Sequence, residues 1–283
     1  MEKHCDLHSH STFSDGTLTP TQLVALAEKQ GLSALALTDH NTSAGLKEFM
    51  EAGKNSPVIT VPGCEFTTEW NGIEIHIVGL FFREEYWKEI EDFLEFSNLA
   101  KANSNRALIA NLNKAGYEIT EEECAALSAG DFNRSHVARV LMAKGYVSSV
   151  SEAFDKLLKE GLGYYFPAKR ITPMAAIRFI KVYGATAIMA HPLLNLNEEQ
   201  LQVFLPEAKE AGLDAIETHY SKFNDSMTAV LVSLAERFGL RQSGGSDFHG
   251  TTKPDIELGT GRGNLFVPHS FYEDLLTCAN QNK

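Results

Sequence analysis

No stretch of eighteen or more apolar residues occurs in this 283-residue sequence, so no membrane-spanning helix is expected. The N-terminus lacks a basic region followed by an apolar run and a small-residue cleavage site, which argues against secretion. Cysteine is scarce: Cys5, Cys64, Cys124 and Cys278 are widely spaced, with no CxxC pair. That speaks against a disulfide frame and against a soft thiolate metal site, and the thiols read as reduced in a cytoplasmic protein. Positive charge is in deficit, with 25 Lys and Arg against 37 Asp and Glu and a formal net charge of −12. Such a field does not attract polyanions, so stable binding of duplex DNA is not expected. A small anionic substrate stays compatible if two or three divalent ions place roughly four to six positive charges in one pocket. Internal repeats and low-complexity segments are absent. What remains is 43% hydrophobic content, enough for one large domain or one domain with an insertion.

The first third alternates strand and helix signals. Thr19-Pro20-Thr21-Gln22 reads as an N-cap, a Pro at the first helical position and a capping-box Gln, and Gly31 ends that helix. Ala34–Thr38, Val58–Val61 and Ile73–Phe82 are strand-like runs. From about Arg83 to Gly163 the strand signals give way to charged, Ala- and Leu-rich helical patterns, and 100–165 is read as a helical insertion that caps the substrate. The alternation resumes with helices from Thr172-Pro173, near 198–211 and near 225–238, separated by strands at 186–190, 213–217 and 240–243. Repeated βα units with polar residues at strand ends predict an α/β barrel of (β/α) type, formed by 1–99 and 166–283, with its site at the C-terminal face of the strands.

The chemistry-bearing residues cluster at those strand ends. His8 and His10 are one residue apart on a short strand, so both imidazoles fall on one side of it. Asp15 follows on the next loop, and His40, Glu65, His76, His191, Asp247 and His249 stand at or near later strand ends. Imidazole and carboxylate donors suit zinc, manganese or iron. Nine such residues exceed the needs of one ion and suit two or three ions sharing carboxylates.

The motifs His8-x-His10-x4-Asp15, Thr38-Asp39-His40-Asn41, Gly63-Cys64-Glu65, Glu74-Ile75-His76, Ala190-His191-Pro192 and Ser246-Asp247-x-His249 resemble, in order and spacing, those of the PHP (polymerase and histidinol phosphatase) family. The resemblance covers about 1–82 and 165–250. It implies a distorted (β/α)7 barrel and a trinuclear metal site used for phosphoester hydrolysis. By that likeness His8, His10, Glu65 and Asp247 hold one ion. Asp15, His40 and His249 hold a second, and Glu65, His76 and His191 a third. Asn133-Arg134-Ser135-His136 and Tyr165-Phe166-Pro167-Ala168-Lys169 are similar to segments of the stand-alone family members acting on nucleoside 3′,5′-bisphosphates and 5′-phosphorylated oligonucleotide ends, although Ser135 stands where those proteins usually carry Pro.

The expectation is therefore a phosphatase or phosphodiesterase in which metal ions lower the pKa of a bound water toward 7 and neutralise the phosphoryl oxygens. Asp247, His191 and His219 are the candidate catalytic residues. Arg134, Ser135, His136 and Lys169 are the candidate substrate-binding residues, Arg134 through a bidentate grip on a phosphate and Lys169 as a point charge. The expected partner is a small phosphorylated metabolite, a nucleotide, a sugar phosphate or a short RNA end. Opening of a cyclic sugar phosphate and hydrolysis of histidinol phosphate stand as alternatives within the family. A C–N amidohydrolase and a non-catalytic metal module stand outside it.

Overall fold

The computed structural model describes residues 3–128, 132–168 and 170–281. Strands β1 (Cys5–Asp6), β2 (Ala34–Leu37), β3 (Ile59–Trp70), β4 (Ile73–Leu80), β5 (Thr186–Met189), β6 (Ala215–Tyr220) and β7 (Arg241–Gly245) form a seven-stranded sheet in sequence order. Helices α1 (Pro20–Lys29) and α2 (Leu46–Gly53) follow the first two strands, and α1 opens on the expected capping box between Thr19 and Gln22. Then come α3 (Trp87–Lys114), α4 (Glu121–Ala125), α5 (Arg134–Ala143) and α6 (Val150–Ala153), the last running into a π-helical turn at Phe154–Leu158. The second half adds α7 (Pro173–Val182), α8 (Pro192–Asn195), α9 (Glu198–Ala211), α10 (Asp225–Phe238) and α11 (His269–Gln281).

The sheet bends round until β1 meets β7. Leu7 N donates to Gly244 O at 3.2 Å and Asp247 N to His8 O at 2.9 Å. The approach is tight enough that a Cβ on Gly245 would lie 2.4 Å from His8 Cβ, so only glycine fits there. The barrel has the predicted strand number but is not uniformly βα. Strand β4 runs antiparallel to both β3 and β5, whereas the other paired strands are parallel. The cause is the two-residue turn Asn71-Gly72, with φ of 51° and 78°, the left-handed pair that a tight hairpin needs. This reversal moves the N-terminal half of β4, and His76 with it, to the face where its neighbours end.

Two apolar cores divide along α3. Ile90 and Leu94 pack with the barrel-side cluster of Phe66, Ile77, Ile177 and Phe204. Leu108, Ile109 and Leu112 pack instead with Val137, Leu141, Leu158 and Tyr165 of the middle segment. The edge drawn at 99/100 from composition thus lies inside one continuous helix of 28 residues rather than in a linker. Among the described residues no helix is long and apolar enough to cross a membrane.

Candidate metal centre and active site

Buried carboxylates that face no solvent set the loops at the C-terminal mouth. Asp39 accepts from Ser11 N at 2.8 Å, Ser11 Oγ at 2.6 Å and Ser14 Oγ at 2.5 Å, which folds the loop carrying His10 and Asp15. Asp6 accepts from Ser246 N at 2.9 Å, Gly259 N at 2.8 Å and His8 N at 3.2 Å, joining the ends of β1 and β7. Burial raises the pKa of both carboxyls even against these bonds. The backbone at the mouth is strained: Asn41, His191 and Asp247 have φ of 54°, 29° and 55°. For non-glycine residues each such conformation costs about 1–3 kcal/mol and persists only where the surroundings impose it.

Into this mouth project the nine candidate ligands. Their donor atoms gather in four overlapping groups: His10, Asp15, His40 and His249; His8, Glu65 and His191; His8, His10 and Asp247; His40, Glu65 and His76. Glu65, with no exposed side-chain surface, sits at the centre. Its Oε1 lies 2.9 Å from His76 Nδ1, 3.1 Å from His191 Nε2 and 3.4 Å from His8 Nε2. Its Oε2 lies 2.9 Å from His40 Nδ1 and 3.4 Å from His10 Nε2. Asp247 Oδ1 is 3.1 Å from His10 Nε2, and Asp15 Oδ1 is 3.2 Å from His249 Nε2.

Several of these contacts are not hydrogen bonds. His8 Nε2 and His10 Nε2 converge to 3.1 Å, a hydrogen bond only if one of the two rings is protonated there. His10 Nδ1, His40 Nδ1 and Glu65 Oε2 are buried with no hydrogen-bond partner, although His40 Nδ1 and Glu65 Oε2 are only 2.9 Å apart. Leaving a buried polar atom unpartnered costs about 1–3 kcal/mol, and a cation between two lone pairs removes that cost. The donor set, imidazole and carboxylate without a thiolate, fits divalent Mn, Fe or Zn. The residues present therefore fit a metal centre.

The electrostatics follow from crowding. Burial opposes charge on Glu65, Asp15 and Asp247, but facing imidazoles outweigh it for the first two and Lys253, followed by His249, His10 and His8, for Asp247, and all three are held well below the usual carboxylate range. His8 is buried too, yet Glu217 and Glu65 raise its pKa. His10 goes the other way, lowered by burial and by the neighbouring His249 and His40. Adjacent imidazoles cannot all carry protons, which leaves lone pairs free for an ion.

An outer layer, not foreseen from sequence, fixes these side chains. His8 Nδ1 donates to Glu217 Oε1 at 2.8 Å, and His191 N donates to Glu217 Oε2 at 2.6 Å. One carboxylate thus sets the tautomer of His8, turns its Nε2 inward and holds the strained His191 backbone. Tyr220 Oη and Lys253 Nζ both donate to Asp247 Oδ2, at 2.7 Å and 2.6 Å, leaving Oδ1 for the cluster.

A cavity of about 240 Å³ opens above Asp15, His40 and His76. Arg134, also in its lining, stacks 4.3 Å from the Tyr165 ring and donates to Leu158 O at 3.2 Å, at the end of the π-helical turn. Arg170 lies beside it and pairs with Glu74 Oε2 at 2.6 Å, and Glu74 Oε1 in turn reaches His76 Nε2 at 2.9 Å. Lys101 of α3 also lines the cavity, its pKa lowered by burial, and its ammonium has no partner among the described residues. Ser135 Oγ donates to Asp15 Oδ2 at 3.3 Å, tying the start of α5 to the cluster.

Two substrate-side or catalytic expectations, His219 and His136, are placed differently, and a third lies outside the described residues. His219 does not join the cluster: a register shift between Glu217 and His219 breaks the alternation of β6, so Tyr220 turns inward. His219 stacks edge-on against Phe271 of α11 and bonds Thr218 Oγ1 at 2.8 Å. His136 is fully buried and accepts from Asn133 N at 3.0 Å through Nδ1, so it caps α5 and does not line the cavity. Lys169 lies outside the described residues. Glu217 carried a readable signal, a carboxylate near a strand end, whereas Arg170, Lys101 and Lys253 come from loops and from α3, where no period points at the site.

A family model, the PHP domain, matches residues 6–166. The chain belongs to the PHP domain family. This PHP protein is 36% identical over 250 residues to the 5′-3′ exoribonuclease of Haemophilus influenzae, covering 88% of this chain and 91% of that one. It is 31% identical to the phosphoribosyl 1,2-cyclic phosphate 1,2-diphosphodiesterase of Eggerthella lenta, covering 87% and 94%. Identity to the 3′,5′-nucleoside bisphosphate phosphatase of Chromobacterium violaceum is 28%, covering 90% of each chain. Among solved structures, a Bifidobacterium adolescentis protein assigned as a metal-dependent phosphoesterase superposes with a TM-score of 0.87 at 26% identity, covering 98% of this PHP protein and 96% of its own chain.

Proposed function

We propose that this PHP-family phosphoesterase acts on nucleotides bearing two phosphates, a nucleoside 3′,5′-bisphosphate or the 5′-phosphorylated end of a short oligonucleotide. One observation carries the reading: Asp15, His40 and His76 of the imidazole–carboxylate cluster line the same cavity as Arg134 and Arg170. The cluster takes the phosphate to be cleaved, and the two guanidiniums take the phosphate that is kept. The names of the Haemophilus and Chromobacterium relatives support the same class.

The nine gathered residues would hold two or three ions of Mn, Fe or Zn, with Glu65 shared between them. When bound, the ions supply charge to the phosphoryl oxygens and make a water nucleophilic at neutral pH. The chain's own residues do the positioning. Glu217 orients His8 and His191, Tyr220 and Lys253 hold one oxygen of Asp247, and Ser135 fixes Asp15. Stacking on Tyr165 and the bond to Leu158 O keep Arg134 extended, so little side-chain freedom is lost when an anion arrives. Cleavage of a cyclic sugar phosphate is the second reading, favoured by the 31% identity to the Eggerthella diphosphodiesterase.

Phosphate-release assays with Mn²⁺ separate these readings. Nucleoside 3′,5′-bisphosphates, 5′-phosphorylated RNAs, cyclic sugar phosphates and histidinol phosphate are compared at equal concentration. Bisphosphates and 5′-phosphorylated ends should turn over fastest, and EDTA should abolish release. A tenfold preference for the cyclic ester or for histidinol phosphate would overturn the proposal.

A further inference from the structure

Glu74 faces two parts of the site at once. It stands two residues before His76 on β4, so both side chains leave the strand on the same face. Its Oε1 lies 2.9 Å from His76 Nε2, while its Oε2 lies 2.6 Å from Arg170 Nη1 and 3.9 Å from Arg134 Nη2. The backbone beneath it is pinned as well, since Asn195 of α8 donates through Nδ2 to Glu74 O at 2.5 Å. The carboxylate lines the same cavity as both arginines.

Each partner of Glu74 has its other side fixed elsewhere. His76 Nδ1 turns to Glu65 Oε1 at 2.9 Å, so one ring nitrogen faces the cluster and the other faces Glu74. Donation from Nε2 to Glu74 selects the tautomer whose Nδ1 lone pair is free for an ion. The backbone next to Arg170 is bonded to β3, with Glu69 N donating to Ile171 O at 2.9 Å, and Glu69 is the cross-strand neighbour of Glu74. Arg134 has holds of its own in the Tyr165 ring and Leu158 O. For Arg170, Glu74 is the one ion-pair partner among the described residues. That pair engages one guanidinium nitrogen and leaves the remaining donors for an anion.

We propose that Glu74 is a positioning residue that ties His76 to Arg170, so that one carboxylate sets both the orientation of a metal ligand and the placement of a phosphate-binding guanidinium. The inference rests on the two-phosphate reading of the site given above. An arginine free to swing has to be ordered when the anion arrives, whereas one already held by Glu74 does not. A carboxylate beside a phosphate site also repels the anion. Two guanidiniums against one carboxylate nevertheless leave that end of the cavity positive. Glu74 thus holds the metal side and the guanidinium side of the cavity at a fixed separation, which favours a ligand whose two phosphates match it.

The test compares wild type, Glu74→Ala, Arg170→Ala and the double variant. Calorimetric titration of the metal-free proteins should show Mn²⁺ affinity reduced about tenfold or more by Glu74→Ala, the size expected when the partner of a metal-bound imidazole is lost. With Mn²⁺ saturating, the ratio of kcat/KM on adenosine 3′,5′-bisphosphate to that on an aryl phosphate should fall at least tenfold in Glu74→Ala. Adding Arg170→Ala to that variant should lower the ratio less than twofold further. A merely structural role lowers kcat/KM on both substrates alike and adds to the Arg170→Ala loss, and that result overturns the proposal. Mn²⁺ affinity within twofold of wild type overturns it too, as does a ratio that rises because a freed arginine grips phosphate better. Glu74→Gln, of the same shape but with one acceptor, covers the case of a misfolded alanine variant. It should lose Mn²⁺ affinity or the bisphosphate preference, and keeping both overturns the proposal. A wild type that cleaves the aryl phosphate but not the bisphosphate fails the two-phosphate reading itself, and the part assigned to Arg170 with it.

Discussion

Replacing Glu217 by Gln tests whether the outer layer governs the metal centre. The glutamate offers one acceptor oxygen to His8 Nδ1 at 2.8 Å and the other to His191 N at 2.6 Å, and it is 1% exposed. Glutamine has nearly the same shape but only one acceptor; its amide nitrogen must face one of those two donors. One buried donor is then left unpartnered, a cost of about 1–3 kcal/mol, and the raised basicity that Glu217 lends to His8 is lost with the charge. If His8 and His191 are ligands, most of that cost falls on the loaded state. Mn²⁺ affinity should then drop roughly tenfold to a hundredfold. Titration of the metal-free protein with Mn²⁺ by calorimetry measures this directly. Thermal melts give a second view, since metal at a hundred times its dissociation constant adds about 2.7 kcal/mol and a thirtyfold weaker site keeps only about 0.9. Glu217→Gln protein that binds Mn²⁺ within twofold of wild type would refute the role assigned to this carboxylate.

Arg170→Ala and Arg134→Ala should each raise KM for bisphosphates about tenfold or more while leaving kcat/KM on a simple aryl phosphate within threefold; equal losses on both substrates would remove the phosphate grip. His219→Ala should retain kcat within twofold, because its ring packs on Phe271 and not on the cluster; a tenfold loss at unchanged melting temperature would return it to the mechanism. Burial lowers the pKa of His136 from 6.5 to about 4, so the folded protein resists a proton that the unfolded chain accepts. Its contribution is complete above pH 6.5 and is lost as pH falls toward 4, by about 3 kcal/mol in all. Urea melts at pH 7 and pH 4.5 should therefore show a smaller acid loss in His136→Gln than in wild type, and parallel losses would refute the assignment.

The site was legible because its residues sit at strand ends and carry unusual chemistry. The nine imidazoles and carboxylates picked out by motif are the nine that the fold gathers into four overlapping groups, the donor atoms within each lying no more than 4.8 Å apart. The barrel was legible from its βα alternation, except at β4, where the Asn71-Gly72 turn joins two successive strand-like runs directly and reverses the second. His219 stands near the end of β6 as read from the sequence, but a register shift after Glu217 hands the inward position to Tyr220, and no local pattern announces such a bulge. Arg170, Lys101 and Lys253 were out of reach for a different reason. Each comes to the site from an element whose path is set by tertiary packing, and a lone basic residue on a helix or loop reads as solvated.

Helix α3 has a further consequence. Ile90 and Leu94 are locked into one core, Leu108 and Leu112 into another, and Ser97, Lys101 and Asn105 face the cavity from the span between. One residue inserted into that span turns everything beyond it by about 100° and lifts it by about 1.5 Å. Lys101 or the second core would then point the wrong way. Seven residues would nearly restore the facing, but would carry α5 about 10 Å from Asp15 and break the Ser135 contact. The helix is therefore a ruler whose length cannot drift. Changes in chain length within this segment have to be absorbed in the loops that follow α3, where neither core nor cavity keeps count.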